Sequence, residues 1–478
     1  MEAANINRNP YNYSNHNLSY LKRQKLNEAD KALFESLCDI IKSGDSKQLR
    51  DKLSEGLMFD INTMYENSCT LLMKAAEVGQ FDCVKVLLEF GALVDLPHTD
   101  VGHEDWYNRS SAVYLATKNG HFNIVKLLLE ADPHASVNHP QYRPLYEACR
   151  KGHLETAKLL VEHGAELQNI MLEYDTNALM NASCSGNAEL VEYLIGEGAD
   201  INYENKYNSH ALLVACEGRH IGVMEVLLEN SADVNVMRMG PDSKEDTCLN
   251  IACQRGDLEM IRLLLKYKAD MTVYNQEGLS PFTTAYSRGF NEAVDLFLEH
   301  GVDLNNNASR LYYQQNGGWL PIRDKWTPLM HACYRRDVEM AKRLLAHGAD
   351  VNVISASEPD LPYVSTNVSM SIGNEELLQL LLDNGADVNL TDDLGNTALL
   401  TVLRARLEDY DSDYDDIVPE EAEPLSPAVL KGVRMLLDYG FDIMHENDKG
   451  KTAFDYVATG SEVEVLLREY RDRKPVLK

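Results

Sequence analysis

Side chains able to do chemistry are plentiful in this chain, but they do not stand at chemical spacings. Nine cysteines, at positions 38, 69, 83, 149, 184, 216, 248, 253 and 333, are odd in number and form no Cys-x-x-Cys pair. Their pattern gives neither a disulfide framework nor a zinc knuckle. Cys149, Cys216, Cys253 and Cys333 recur at one slot of a repeated segment, which points to packing rather than to nucleophiles. His98 and His103 stand beside Glu104 and Asp105, yet no third ligand accompanies them at a metal spacing. Glu408 to Glu423 holds nine carboxylates and no base, without the spacing or central glycine of a calcium loop. Gly-x-x-x-x-Gly-Lys, Gly-x-Ser-x-Gly, His-Glu-x-x-His and the kinase signatures are missing. The sequence therefore predicts no catalytic residue, no cofactor and no metal. The residues with binding character are Trp106 and Tyr107, and then Arg310, Tyr312, Tyr313 and Trp319, because Trp, Tyr and Arg dominate interface hot spots.

Charge narrows the partner. In 478 residues, 45 Lys and Arg against 75 Asp and Glu give a net charge of −30. That sign excludes nucleic acid as a general partner and disfavours anionic membranes, while it attracts a basic protein or peptide. Hydrophobic residues at 44 % and charged residues at 25 % exclude wholesale disorder. Met1 to Tyr20 is Asn-rich with no apolar signal-peptide core, and no long apolar run follows, so the chain is expected in the cytoplasm or nucleus.

The elements that position these residues come from a repeat. Thr70-Leu-Leu-Met-Lys-Ala-Ala76, Arg143-Pro-Leu-Tyr-Glu-Ala-Cys149, Asn177-Ala-Leu-Met-Asn-Ala-Ser183, Thr247-Cys-Leu-Asn-Ile-Ala-Cys253 and Thr327-Pro-Leu-Met-His-Ala-Cys333 are variants of one segment. Each opens a short helix and leads to a second apolar one, such as Ile124-Val-Lys-Leu-Leu-Leu-Glu130. Gly-Ala-Asp-Val-Asn or a near copy closes the unit, as at Gly198 to Asn202, Gly348 to Asn352 and Gly385 to Asn389. A Ser or Thr caps the first helix, small Ala or Cys lets the helices approach, and Gly supplies a left-handed cap. The first-slot residues are Thr70, Ser111, Arg143, Asn177, His210, Thr247, Ser280, Thr327, Thr366, Thr397 and Thr452, eleven units after a degenerate one at Leu33 to Asn62.

These segments resemble the ankyrin repeat over roughly residues 31 to 470. The resemblance implies an all-α solenoid of about twelve units with β-hairpin-like finger loops, and a concave surface of finger tips and first helices for protein or peptide partners. One departure is systematic: the family's fourth-slot His is replaced by Met73, Tyr114, Tyr146, Met180, Leu213, Asn250, Thr283 and Met330. Apolar packing is expected to replace hydrogen bonding there. Trp326, just before a Thr-Pro-Leu segment, stands where Trp is a common family variant. Asn235, Asn352 and Asn389, in Asp-Val-Asn endings after Leu-Leu, look like sites that an asparaginyl hydroxylase modifies in such proteins.

Where the period lengthens, insertions map to loops and carry the individuality of the protein. The expected organisation is an Asn-rich disordered segment over 1–30, a capping repeat over 31–62 and the array over 63–403. Finger-loop insertions fall at about 97–109, 306–325 and 354–365. An acidic disordered insertion over 404–427, C-terminal repeats and a cap over 428–470, and a short basic tail over 471–478 complete it. Ser412 and Ser426 lie in kinase-type contexts within the acidic insertion. The leading expectation is a monomeric, non-catalytic scaffold or adaptor. The alternatives are a ubiquitin-ligase substrate receptor, an inhibitor masking a basic segment of a signalling or transcription protein, and a translocated ankyrin effector.

Overall fold

The computed structural model describes residues 27–57, 59–64, 69–95, 111–135, 137–138, 143–168, 176–238, 246–275, 279–305, 312–313, 319–320, 326–354, 366–392, 394–405 and 425–472. They fall into two compact units, 1–239 and 240–478. In the first, helices pair as α1 (Glu28–Ser43) with α2 (Ser46–Ser54), α3 (Leu71–Val78) with α4 (Phe81–Glu89), α5 (Ala112–Lys118) with α6 (Phe122–Ala131), α7 (Pro144–Lys151) with α8 (Leu154–Glu162), α9 (Ala178–Ser185) with α10 (Ala188–Gly196), and α11 (Ala211–Gly218) with α12 (Ile221–Glu229). In the second they pair as α13 (Cys248–Arg255) with α14 (Leu258–Lys266), α15 (Pro281–Ser287) with α16 (Asn291–Glu299), α17 (Pro328–Tyr334) with α18 (Val338–Ala346), and α19 (Asn367–Ser371) with α20 (Glu375–Asp383), followed by α21 (Ala398–Ala405), which packs on α19, and α22 (Pro427–Asp438), which packs on α20. A 3-10 turn, Ala453–Tyr456, and α23 (Glu462–Asp472) close that unit. Within each unit first helices pack on first helices, as α3 on α5 and α17 on α19, and second helices form a row behind them, as α4 on α6 and α18 on α20. Strands β1 (Tyr312–Tyr313) and β2 (Trp319–Leu320) form an antiparallel pair between α16 and α17. Each unit is the all-α stack of paired helices that the resemblance implies.

The caps explain why the helices begin where they do. Thr70 accepts a hydrogen bond from the Met73 N–H at 3.1 Å, Asn177 from Met180 at 2.9 Å and Thr327 from Met330 at 3.3 Å, each satisfying an otherwise orphan donor. Arg143 and His210, at the same slot, make no side-chain cap. Met73, Met180, Leu213 and Met330 in the fourth slot are buried, so apolar packing has replaced the family's histidine there. Asn250 is buried at that slot too, and its Nδ2 donates to the Val273 carbonyl at 3.4 Å.

Cys149, Cys216, Cys253 and Cys333 are buried, and all nine cysteines are free. Burial pushes the Cys149 and Cys253 thiols up and takes Cys333 to about 12, which keeps them protonated and unreactive. Among the described residues no helix is long and apolar enough to cross a membrane.

Candidate partner-binding surface

Two recurring positions carry hydrogen bonds between neighbouring repeats. The first is the residue before the second helix: a ring nitrogen of His121 lies 3.2 Å from the Glu77 carbonyl oxygen, one of His220 lies 3.1 Å from that of Cys184, and Asn187 donates to Gly152 at 2.9 Å. The second is the Asn that ends each unit. Its side-chain oxygen accepts the N–H two residues after the next unit's closing glycine: Asn138 from Glu166 at 2.8 Å, Asn305 from Asp350 at 2.7 Å, Asn352 from Asp387 at 2.8 Å and Asn389 from Asp442 at 2.7 Å. Its Nδ2 donates to the glycine carbonyl, at 3.1 Å for Asn352 to Gly385 and 3.3 Å for Asn389 to Gly440. Asn352 and Asn389, singled out by their context, are thus structural rungs, while Asn235 ends the first unit exposed. Family spacing alone does not disclose this ladder, because it depends on where the next repeat's backbone passes.

The aromatic loop residues separate into two groups. Trp106, Tyr107 and Arg310 lie outside the described residues, as does Ser412. Tyr312, Tyr313 and Trp319 are brought together by the β1–β2 pair, whose register sets Tyr313 opposite Trp319 and Tyr312 opposite Leu320. Ser426 is exposed and caps α22, accepting from the Val429 N–H at 3.4 Å.

A cluster that sequence reasoning missed lies on the open side of α17. The Trp326 ring stands 5.3 Å from His331 and 5.0 Å from Tyr334, and Tyr334 is 67 % exposed. Arg335 sits 5.3 Å over the Tyr286 ring and donates to the Ser287 carbonyl at 3.3 Å, while the Tyr286 hydroxyl donates to Asp337 at 3.0 Å. Burial, reinforced by Arg335, holds the His331 imidazole down to about 4, so it is neutral at physiological pH. The signal was present as Trp326 followed at helical spacing by His331 and Tyr334, on a residue whose family context reads as scaffold.

Comparison with known proteins follows the same repeats. The ankyrin repeat (3 copies) family model matches residues 37–136, 92–171, 167–238 and 249–355, and the many-copies form matches 212–265 and 371–406. Ankyrin repeat and KH domain-containing protein mask-1 of Caenorhabditis elegans is 28 % identical over 376 residues, 72 % of this chain and 14 % of the relative. Putative ankyrin repeat protein FPV022 of Fowlpox virus is 25 % identical over 353 residues, 74 % of this chain and 54 % of the relative. Human ankyrin repeat and SOCS box protein 6 is 30 % identical over 208 residues, 43 % of this chain and 41 % of the relative. The chain spans less than two thirds of each of these relatives. A match that runs through both units, on helices already marked out by their capping residues, makes this chain a member of the ankyrin repeat family, a fold that serves protein interaction rather than catalysis.

Proposed function

We propose that the chain is a non-catalytic scaffold or adaptor that binds protein or peptide partners on the open side of its first helices and on its finger loops. One observation carries this reading. Lys74, Glu147, Asn181, Val214, Ile251 and His331 occupy the same slot in successive first helices, each only half-buried, on helices whose other motif positions are buried Leu, Ala and Cys. The same spot is open again and again, with different chemistry each time, as recognition of an extended partner requires. Because packing already fixes these helices, binding there orders little chain and keeps its entropic cost low.

The test is a photo-crosslinking amino acid placed singly at 74, 147, 181, 214 and 251, and for comparison at the exposed second-helix positions Lys85, Glu155, Glu189 and Glu259. Crosslinks to other proteins are expected from the first set alone. Equal crosslinking from both sets, or none from the first, removes the reading. A second reading, an inhibitor that masks a basic segment, is favoured by the net charge, of which nine carboxylates are concentrated over residues 408–423. It expects capture of a basic partner that is lost on deleting that tract and on adding salt.

A further inference from the structure

The first helices of the second unit are basic in an acidic protein. With the turn residues after them, α13, α15, α17 and α21 carry Arg255, Arg288, Arg335, Arg336 and Arg404, α19 carries no charge, and the acidic residues there are Asp257 and Asp337, which cap the next helices. In the first unit the corresponding helices include Glu77, Glu147 and Glu217, and all three pair with bases, Lys74 with Glu77, Arg150 with Glu147 and Arg238 with Glu217, each at 2.7 Å. Arg288, Arg335 and Arg336 are exposed and form no ion pair among the described residues. They flank the Trp326–His331–Tyr334 stack on helices that touch in series, α15 on α17 and α17 on α19.

Cations at helix C-termini complement the helix dipole, and that alone accounts for a base at 288 or 335. It does not account for Arg336. That residue has φ +57°, in the left-handed region, where the turns after α3, α7, α9, α13 and α15 place Gly79, Gly152, Gly186, Gly256 and Gly289. A side chain there costs free energy that glycine avoids. Nor does the dipole account for an exposed Tyr334 beside it.

We propose that this surface takes an acidic segment of a partner protein, its carboxylates meeting Arg288, Arg335 and Arg336 while an apolar or aromatic side chain lies on Trp326 and Tyr334. The proposal rests on the first-helix row being the recognition face. Guanidinium groups suit it, because they engage carboxylates through two parallel hydrogen bonds and stack on rings at the same time.

The experiment titrates the full chain into a fluorescein-labelled peptide alternating Asp, Glu and Tyr, and into its Asn, Gln and Tyr isostere. The chain is expected to bind the acidic peptide alone, and less tightly as salt is added, although its net charge opposes the encounter. Arg335→Ala weakens binding by about tenfold, the effect of one lost charge-assisted contact. Arg336→Gly weakens binding while raising the thermal midpoint, and a more stable variant that binds less cannot be explained by misfolding. Arg219→Gly relieves the same left-handed backbone, φ +59°, in the first unit, and is expected to raise the midpoint with binding unchanged.

Equal binding of peptide and isostere overturns the proposal, and so does wild-type binding by Arg336→Gly. Binding that appears only after residues 408–423 are deleted also overturns it, by giving the surface to the chain's own acidic tract. Failure here with crosslinks still confined to the first helices removes the acidic partner and leaves the scaffold reading intact, whereas loss of those crosslinks removes both.

Discussion

His331 shows how one first-helix side chain couples recognition to stability. It faces Trp326 and Tyr334 on the open side of α17, yet burial holds its imidazole down to about 4. An unfolded chain's histidine titrates near 6.5, so between about 6.5 and 4 the unfolded state takes up a proton that the folded state refuses. Stability is therefore fully present above that window and falls as the pH drops through it, with this residue contributing on the order of 3 kcal/mol. His331→Gln is expected to flatten that part of the profile. Thermal midpoints of the two proteins that run parallel from neutral pH to pH 5 would show that the histidine titrates normally and is open to water.

Among the elements, the places where the repeat rule is broken make the sharpest predictions. His210 stands in the capping slot of α11 without capping it, and its Nδ1 is buried with no hydrogen-bond partner. His210→Thr restores the cap and removes the orphan, and is expected to stabilise the chain by about 1 kcal/mol, read as a higher urea midpoint. Gly432 is a different case. A Cβ there would stand 2.1 Å from the Ile372 carbonyl oxygen, so α22 reaches the end of α19 only because the side chain is missing. Gly432→Ala is expected to cost roughly 2–4 kcal/mol, and a midpoint equal to wild type would mean that α22 sits further out. The helix pairs were legible from Thr70, Ser111, Thr247 and their counterparts, since capping and Leu-Leu spacing are local physics. Gly432 and the Asn rungs were not, because each depends on which backbone an adjacent repeat brings within a few ångströms, whereas the Trp326 cluster was written in the spacing of Trp326, His331 and Tyr334 and hidden by a residue that the family context reads as scaffold. Of the loop aromatics, only Tyr312, Tyr313 and Trp319 gained a placement, through strand pairing that an irregular loop sequence does not announce.

At the scale of the whole molecule, contacts within each unit run from one repeat to the next, so damage is expected to stay local. In Gly432→Ala, amide hydrogen exchange is expected to quicken across α19 to α23 while α3 to α10 keep wild-type protection. Uniform loss of protection would show that the array unfolds as one body. The Asn ladder adds a consequence of another kind. Asn305 reaches Asp350 and Asn389 reaches Asp442 with the same 2.7 Å bond, although the stretches between them include residues 306–325 and 406–424, and elsewhere Asn352 reaches Asp387 across a bare repeat at 2.8 Å. The rungs span a long insertion as they span none. Evolution can therefore lengthen, shorten or exchange those loops as cassettes, and a lineage can change what the protein recognises without renegotiating how it folds.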